Sequence, residues 1–189
     1  MTEFAKTIVT LVVGFLIAIF AEPLRRWFYR PVLRLDFAND DRFVSPTVEG
    51  DPPDHHARYV RLRATNVKNS MAKSCRAFLI GFDRRGQSGS WDPTDYCDNI
   101  PLRWSCEKSD ALDLPKDVPH FIDVLSTRES SKDFQLHLAF LPHRYQHLLS
   151  ATETYRLTVL VTGDGLKPAK MSISFKWTGV WDQFEVFAL

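Results

Sequence analysis

The strongest hydrophobic signal along the chain is a run without charged residues from Thr7 to Ala21, rich in large aliphatic and aromatic side chains. As an α-helix this run extends over about 22 Å, whereas the hydrocarbon core of a bilayer is about 30 Å thick. A spanning helix therefore needs its flanks, with Phe4 and Ala5 at one end and Leu24 at the other. The pattern predicts one N-terminal transmembrane helix, with residues 1–30 as the membrane anchor.

Basic and aromatic side chains crowd the C-terminal flank of this run: Arg25, Arg26, Trp27, Phe28, Tyr29 and Arg30. Such residues are enriched where a helix leaves the hydrocarbon, and the flank richer in arginine faces the cytoplasm. We therefore expect these six residues at the membrane interface, the lipid bilayer as a partner, and the rest of the chain in the cytoplasm. One alternative is a cleaved signal peptide and a periplasmic domain, although Ile19 does not suit a cleavage site after Ala21. Because the run is short, a buried helix of a soluble protein is the other alternative.

Alternation of apolar and polar residues recurs after Pro31 and predicts strands. In residues 58–66, Val60, Leu62 and Ala64 alternate with arginines. The same pattern predicts strands at 32–37, 73–82, 121–125, 134–141, 155–162 and 170–177. Such spacing is typical of a mainly β fold, an antiparallel immunoglobulin-like β-sandwich of about seven to eight strands over residues 31–189.

Two segments break the alternation. Residues 38–56 are rich in Asp, Pro and Gly, which predicts a flexible loop without core residues. Residues 83–117 are similar, with only 102–104 as a short strand. Because long ordered loops on a rigid sandwich often carry binding residues, the 83–117 loop is the first candidate for function.

Charge and cysteine content narrow the class of protein. The 189 residues carry a net charge of +1, so the excess of positive charge that drives binding to a phosphate backbone is absent, and nucleic acid is not an expected partner. The three cysteines are Cys75, Cys97 and Cys106. An odd number without the spacing of a zinc site favours a reducing compartment, because one thiol stays unpaired.

No catalytic motif emerges from the sequence. Residues 86–90 read Gly-Gln-Ser-Gly-Ser, which resembles a nucleophile elbow only superficially, because no strand-to-helix context surrounds it. Phosphate-binding and dinucleotide motifs are absent as well. His143 and His147 have the i, i+4 spacing of metal ligands on one helix face, but no acidic residue accompanies them in the catalytic-zinc pattern. We therefore expect a protein that is not an enzyme and has no cofactor or resident metal.

The 83–117 loop contains a cluster of acidic and aromatic residues: Trp91, Asp92, Asp95, Tyr96 and Asp98. Clustered carboxylates suit Ca²⁺, but the spacing is not that of an EF-hand, and a contact surface is the preferred interpretation. Of the other tryptophans, Trp104, Trp177 and Trp181 are expected to fill the core or its ends.

Residues 58–82 carry a resemblance to a known group of proteins. Asn66, Ala72 and Cys75 match a run that links one strand to its partner, and Ser70 stands where glycine is common. The segment resembles the second and third strands of immunoglobulin-like domains in uncharacterised bacterial single-span membrane proteins. That resemblance implies a bacterial inner-membrane location and a C-terminal β-sandwich, and it implies no catalytic residue.

Two functions follow as expectations. The first is a membrane-anchored, non-enzymatic recognition module that binds a protein or a small ligand through the sandwich edges or the 83–117 loop. The alternative is a membrane effector of a bacterial anti-phage system, in which the β domain senses a small nucleotide signal and self-associates so that the anchors perturb the bilayer.

Overall fold

The computed structural model describes residues 3, 11–15, 17–21, 28–50, 53–105, 109–149 and 152–189. Residues 11–15 and 17–21 are helical and expose large apolar side chains, among them Leu11 and Phe15. Within these described ranges, no helix has both the length and the apolar content that crossing a membrane requires. The predictions for Arg25, Arg26 and Trp27 lie outside the described residues.

Two antiparallel sheets form the domain that follows. The strands are β1 (Leu33–Asp36), β2 (Val44–Gly50), β3 (Pro53–Asn66), β4 (Ala72–Arg85), β5 (Trp91–Pro93), β6 (Ile100–Pro101), β7 (Arg103–Trp104), β8 (Leu112–Leu114), β9 (Pro119–Arg128), β10 (Gln135–Leu136), β11 (Thr154–Asp164), β12 (Ala169–Lys176) and β13 (Glu185–Ala188). A 3₁₀ helix covers His143–Leu148. The prediction of a mainly β, antiparallel fold is confirmed.

The first sheet has the order β1-β3-β9-β10, with β2 also paired to β3 and β7 to β9. The second has the order β13-β12-β11-β4-β5, with β6 and β8 also paired to β4. Apolar side chains from both sheets form one buried cluster, which includes Val60 and Leu62 of β3, Leu157 and Val159 of β11, and Phe175 of β12. Val60, Leu62 and Ala64, the alternating apolar residues of the strand predicted at 58–66, are all fully buried, so the inward face predicted for this strand is confirmed.

The predicted loop at residues 38–56 is wrong. Its second half forms β2 and the beginning of β3, which pair as a hairpin from Val44↔Val60 to Gly50↔Pro53. Phe43 is buried and makes edge-to-face contacts with the rings of Phe37 and Phe121, at centroid distances of 5.7 Å in both cases. Three prolines and several acids in this segment obscure the alternation of β2, which lies at a sheet edge, where proline is tolerated.

The described residues contain 13 strands, more than the seven or eight predicted. The difference comes from short strands, because seven of the 13 are only two to four residues long: β1, β5, β6, β7, β8, β10 and β13. Four of these short strands, β5 to β8, lie within the predicted 83–117 loop. They pair with β4 and β9. The segment is therefore part of both sheets, and its ordered backbone positions the candidate site.

Opposite ends of the sandwich differ in what they carry. The chain enters the domain beside Val32, which forms a parallel bridge with Lys167 in the β11–β12 connection. We call this the stem end. The pairs Tyr155↔Arg84 and Thr154↔Lys176 lie at the other end, which we call the distal end, because β4, β11 and β12 run the length of the sandwich.

Candidate functional site

A groove at the distal end is the candidate functional site. It encloses about 320 Å³ and is lined by Arg84, Pro93, Thr94, Asp95, His147, Leu148, Glu153 and Tyr155. Its walls come from the end of β4, the residues after β5, the 3₁₀ helix and the start of β11. This volume lies at the lower end of the range of about 300–1,000 Å³ that is common for small-molecule sites.

Two contacts between an acidic and a basic side chain line the groove. Arg84 Nη1 lies 3.5 Å from Glu153 Oε1, and His147 Nε2 lies 3.4 Å from Asp95 Oδ2. All four side chains are more than a third exposed, so each contact contributes little to stability. Long, exposed contacts of this kind leave the groups available to a ligand.

One carboxylate oxygen of Glu153 in this groove lacks a hydrogen-bond partner among the described residues. Its Oε2 is shielded from solvent and has no hydrogen-bond partner among the residues that the structure describes. A buried carboxylate oxygen without a partner is unfavourable, because desolvation is not compensated. A ligand that donates a hydrogen bond at this position would satisfy Oε2.

Tyr155 forms the buried floor beneath these charges. Burial, together with the negative charge of Glu153, raises the pKa of Tyr155 to about 12. The phenol therefore stays protonated at neutral pH. The groove combines one apolar and aromatic wall with polar groups at its rim, an arrangement typical of small-ligand sites.

The residues predicted from the 83–117 loop do not form one surface. Asp95 lines the groove, as described above. Asp98 accepts hydrogen bonds from Arg144 and from the Tyr145 hydroxyl group, the latter at 2.8 Å. These bonds, that from Arg144 first, hold the pKa of Asp98 below its ordinary value. Asp92 Oδ1 accepts a hydrogen bond from Ser90 Oγ at 3.0 Å.

Asp92, Asp95 and Asp98 have different partners, and this is evidence against a shared Ca²⁺ site in the acidic cluster. The three carboxylates serve a turn, the groove and the 3₁₀ helix. Among the described residues, no group of three or more His, Cys, Asp or Glu side chains is placed to hold a metal ion. His143 and His147 lie on a 3₁₀ helix, in which four residues make more than one turn, so the two side chains do not share a face.

Tyr96 is a correction to the predicted contact surface. Its side chain is 8 % exposed and its hydroxyl group donates a hydrogen bond to the Leu79 carbonyl oxygen at 2.8 Å. The ring packs 4.9 Å from Tyr145 and 6.3 Å from Phe82. Tyr96 therefore belongs to the core and anchors the 83–117 segment, which we call the insertion, to β4.

Trp91 lies beside the groove on the edge strand β5 and is half-buried. The guanidinium carbon of Arg156 lies 5.3 Å from its ring centroid, and that of Arg85 lies 6.0 Å away. Arg156 is held in place by Asp83, at 2.8 Å from both Nε and Nη2. Trp91 thus packs against two guanidinium groups and stays only half-buried.

Trp104, Trp177 and Trp181 follow the prediction that they fill the core or its ends. Trp104 and Trp177 are each 2 % exposed, which confirms them as core residues. Trp181 is half-buried at the distal end, where its ring stacks on His56 at a centroid distance of 6.1 Å. The expectation that Trp181 closes an end of the core fits this position better than a place within it.

A second polar cluster, which the sequence did not reveal, lies on the first sheet around Glu49. The Glu49 carboxylate accepts hydrogen bonds from the Tyr59 hydroxyl group and from Arg128 Nε, the latter at 2.6 Å. Burial opposes ionisation of Glu49, but the bonds from Arg128 and Tyr59 outweigh it and lower the pKa. The His137 ring is tilted against that of Tyr59 at a centroid distance of 4.8 Å, and His137 Nε2 is hydrogen-bonded to Ser126 Oγ at 2.9 Å.

The Glu49 cluster is less suited to ligand binding than the groove. Its charged groups already satisfy one another at short distances, and they connect β2 to β3 and β9. Sequence reasoning missed it because Glu49 lies in the segment that was predicted to be a loop. The alternation of Val44, Pro46 and Val48 with polar residues is the sequence signal for β2.

Comparisons with known proteins add no relative to this picture. No protein-family model matches the chain, and no curated protein sequence matches it. The class defined by the fold and the groove is therefore a mainly β, two-sheet domain with a small polar groove at one end.

Proposed function

We propose that the protein is a membrane-anchored, non-enzymatic recognition module that binds a small polar ligand, or a polar side chain of a partner protein, in the distal groove. The observation that carries this proposal is the unpartnered Glu153 Oε2 beside Arg84. A ligand with an ammonium or amide N–H group for Glu153 and an anionic group for Arg84 matches both.

The placement of the groove supports a tethered module. The apolar segment at residues 7–21 precedes the stem end, and the groove lies at the distal end. A ligand or partner therefore approaches from the side that faces away from the proposed membrane. We propose an inner-membrane location in a bacterium, an immunoglobulin-like arrangement of the strands and a cytoplasmic domain, in keeping with the arginine-rich flank at residues 25–30.

A thermal-shift screen of the full chain in detergent tests the groove. The probes are zwitterionic amino acids, nucleotides and simple carboxylates. A ligand at about 100 times its Kd stabilises the folded state by about 2.7 kcal/mol, which corresponds to about 5–10 °C in a chain of this size. The double variant Arg84→Ala, Glu153→Ala should lose that shift.

The matched control is Lys176→Ala, Glu185→Ala, which removes an exposed ion pair of 3.1 Å on another edge of the domain. The control should respond to the ligand as the natural chain does. Absence of any ligand shift, together with a pull-down that returns no reproducible partner, would count against the recognition module. A partner retained by the groove variant would place binding elsewhere.

Membrane orientation has its own test. A phosphatase or a fluorescent protein is fused after Leu189. Fluorescence with a silent phosphatase supports the cytoplasmic domain, whereas phosphatase activity with a dark fluorescent protein supports export.

A second function, the anti-phage effector that senses a nucleotide and self-associates, is favoured by the edge strand β13. Phe187 and Leu189 are 54 % and 60 % exposed at this edge, and among the described strands β13 pairs only with β12. An exposed apolar edge is suited to pairing with a second copy. Toxicity on expression that disappears both on deletion of residues 1–30 and in Phe187→Lys would support this function.

A further inference from the structure

The connection between the apolar segment and the domain is held by side-chain and backbone bonds. Arg30 donates hydrogen bonds from Nε to the Gly165 carbonyl oxygen at 2.8 Å and from Nη2 to that of Leu166 at 3.0 Å. The Val67 amide donates to the Val32 carbonyl oxygen at 3.0 Å. Arg30, one of the residues expected at the membrane interface, is therefore also bound to the domain, and its hydrogen bonds fix the point where the chain enters.

Three connections meet at this point. They are residues 67–71 between β3 and β4, residues 115–118 between β8 and β9, and residues 165–168 between β11 and β12. We call them the stem-end loops. Strand register places them together, because Thr65 pairs with Pro119, Ala72 with Leu114 and Asp164 with Lys73.

Asn66 fixes the shape of two of these loops. It is fully buried, and its Nδ2 donates to the carbonyl oxygens of Ser70 at 2.6 Å and Leu114 at 3.0 Å. Its Oδ1 accepts from the Lys68 amide at 3.1 Å. The stem-end loops therefore present a defined surface, since each is tied to a strand or to the entering chain.

That surface combines exposed apolar tips with lysines. Val67, Met71 and Val118 are 38 %, 46 % and 43 % exposed. The exposed basic side chains at this end are Arg30, Lys68, Lys73, Lys116, Lys167 and Lys170, against the exposed acids Asp113, Asp117 and Asp164. Basic groups interspersed with apolar tips are the combination by which proteins bind anionic membrane surfaces.

We infer that the stem-end loops dock onto anionic lipid head groups, so that the domain lies against the bilayer with its groove facing away. This inference rests on the proposed membrane anchor. The connection is short enough, because Ala21 and Arg30 are nine residues apart, a separation that covers at most about 32 Å when fully extended. The bilayer is thus within reach of the lysines, and the apolar tips enter the head-group layer.

The electrostatic part of the docking has an expected size. Each lysine near an anionic leaflet contributes about 1 kcal/mol, or about fivefold in the ratio of docked to undocked domain. The double variant Lys68→Gln, Lys167→Gln should therefore reduce this ratio about 25-fold. The control Lys132→Gln, Lys176→Gln removes the same charge from exposed distal positions and should change the ratio little.

Hydrogen exchange of the full chain in nanodiscs measures the docking. Amides of residues 67–71, 116–118 and 165–167 should exchange more slowly in nanodiscs with phosphatidylglycerol than in those with phosphatidylcholine alone. The stem-end variant should lose the difference, and the distal control should keep it. Exchange that is equal in both lipids for the natural chain would overturn the inference.

Two further outcomes separate the inference from the proposal beneath it. If alkaline carbonate extracted the chain from membranes, this result would contradict both the membrane anchor and the docking. Retention in the membrane without protection of the stem-end loops would overturn the docking alone. Protection that grows with protein density regardless of lipid charge would assign this surface to a second copy of the chain instead.

Discussion

The clearest test of the architecture is the replacement of Tyr96, because this residue decides whether the insertion is a surface loop or part of the core. Its hydroxyl group donates a buried hydrogen bond of 2.8 Å to Leu79, and its ring packs against Tyr145 and Phe82. Tyr96→Phe removes the hydrogen bond and preserves the ring.

A buried hydrogen bond contributes about 0.5–1.5 kcal/mol net, so Tyr96→Phe should destabilise the domain by about 1 kcal/mol. Tyr96→Ala also removes the aromatic contacts and leaves a cavity, for which about 3–5 kcal/mol is expected by analogy with other buried aromatic residues. In a chain of this length each 1 kcal/mol lowers Tm by about 2–4 °C. The two variants should therefore melt about 2–4 °C and about 6–20 °C below the natural chain.

The assay is thermal unfolding of the full chain in detergent, followed by near-ultraviolet circular dichroism. Tyr29→Phe is the matched control, because it deletes the same hydroxyl group from a side chain that is 66 % exposed. It should leave Tm unchanged. A Tm within 1 °C of the natural value for Tyr96→Ala would refute the placement of the insertion in the core.

Three further predictions concern other parts of the domain. Burial lowers the pKa of His137, so protonation below about pH 6.5 opposes folding. The free energy of unfolding of the natural chain, measured in urea, should therefore fall from pH 7 to pH 5, and that of His137→Gln should fall less. Equal losses in both proteins would contradict this. Gly163→Ala should lower Tm by several degrees, because a Cβ atom there lies 2.6 Å from the Lys73 carbonyl oxygen, and an unchanged melting curve would exclude this close approach. In a Cys106→Ser background, maleimide should label the exposed Cys97 quickly but Cys75 only after unfolding, because burial raises the pKa of the Cys75 thiol to about 11. Peptide mass spectrometry identifies the labelled cysteines. Rapid labelling of Cys75 in the folded protein would argue against its burial.

The long strands could be predicted from the sequence because each contains several period-two repeats. In β3 and β11 the alternation identifies both the element and its buried face, since successive side chains point to opposite sides of a sheet. Trp104 and Trp177 were expected in the core for their size alone. Strands such as β5 to β8 are two or three residues long and contain too few repeats to be detected.

The candidate site depended on tertiary structure. The groove places Asp95, which follows β5, beside His147 and Glu153, which lie 52 and 58 residues further along the chain. The sequence identified Asp95 as a polar residue of interest, but it placed Tyr96 beside it on the surface, because local pattern does not show which side chain finds a partner in β4.

The apolar run at residues 7–21 and the alternation of the long strands are thus properties of the sequence by itself, because both are read over consecutive residues. What only the tertiary structure decided is how the two ends of the sandwich differ. Lysines and apolar tips lie beside the entering chain, and a buried carboxylate oxygen of Glu153 without a hydrogen-bond partner among the described residues lies in the groove at the other end. The physical reason is that antiparallel register brings together loops that are distant in sequence, and their combined charge and shape exist only once the strands have paired.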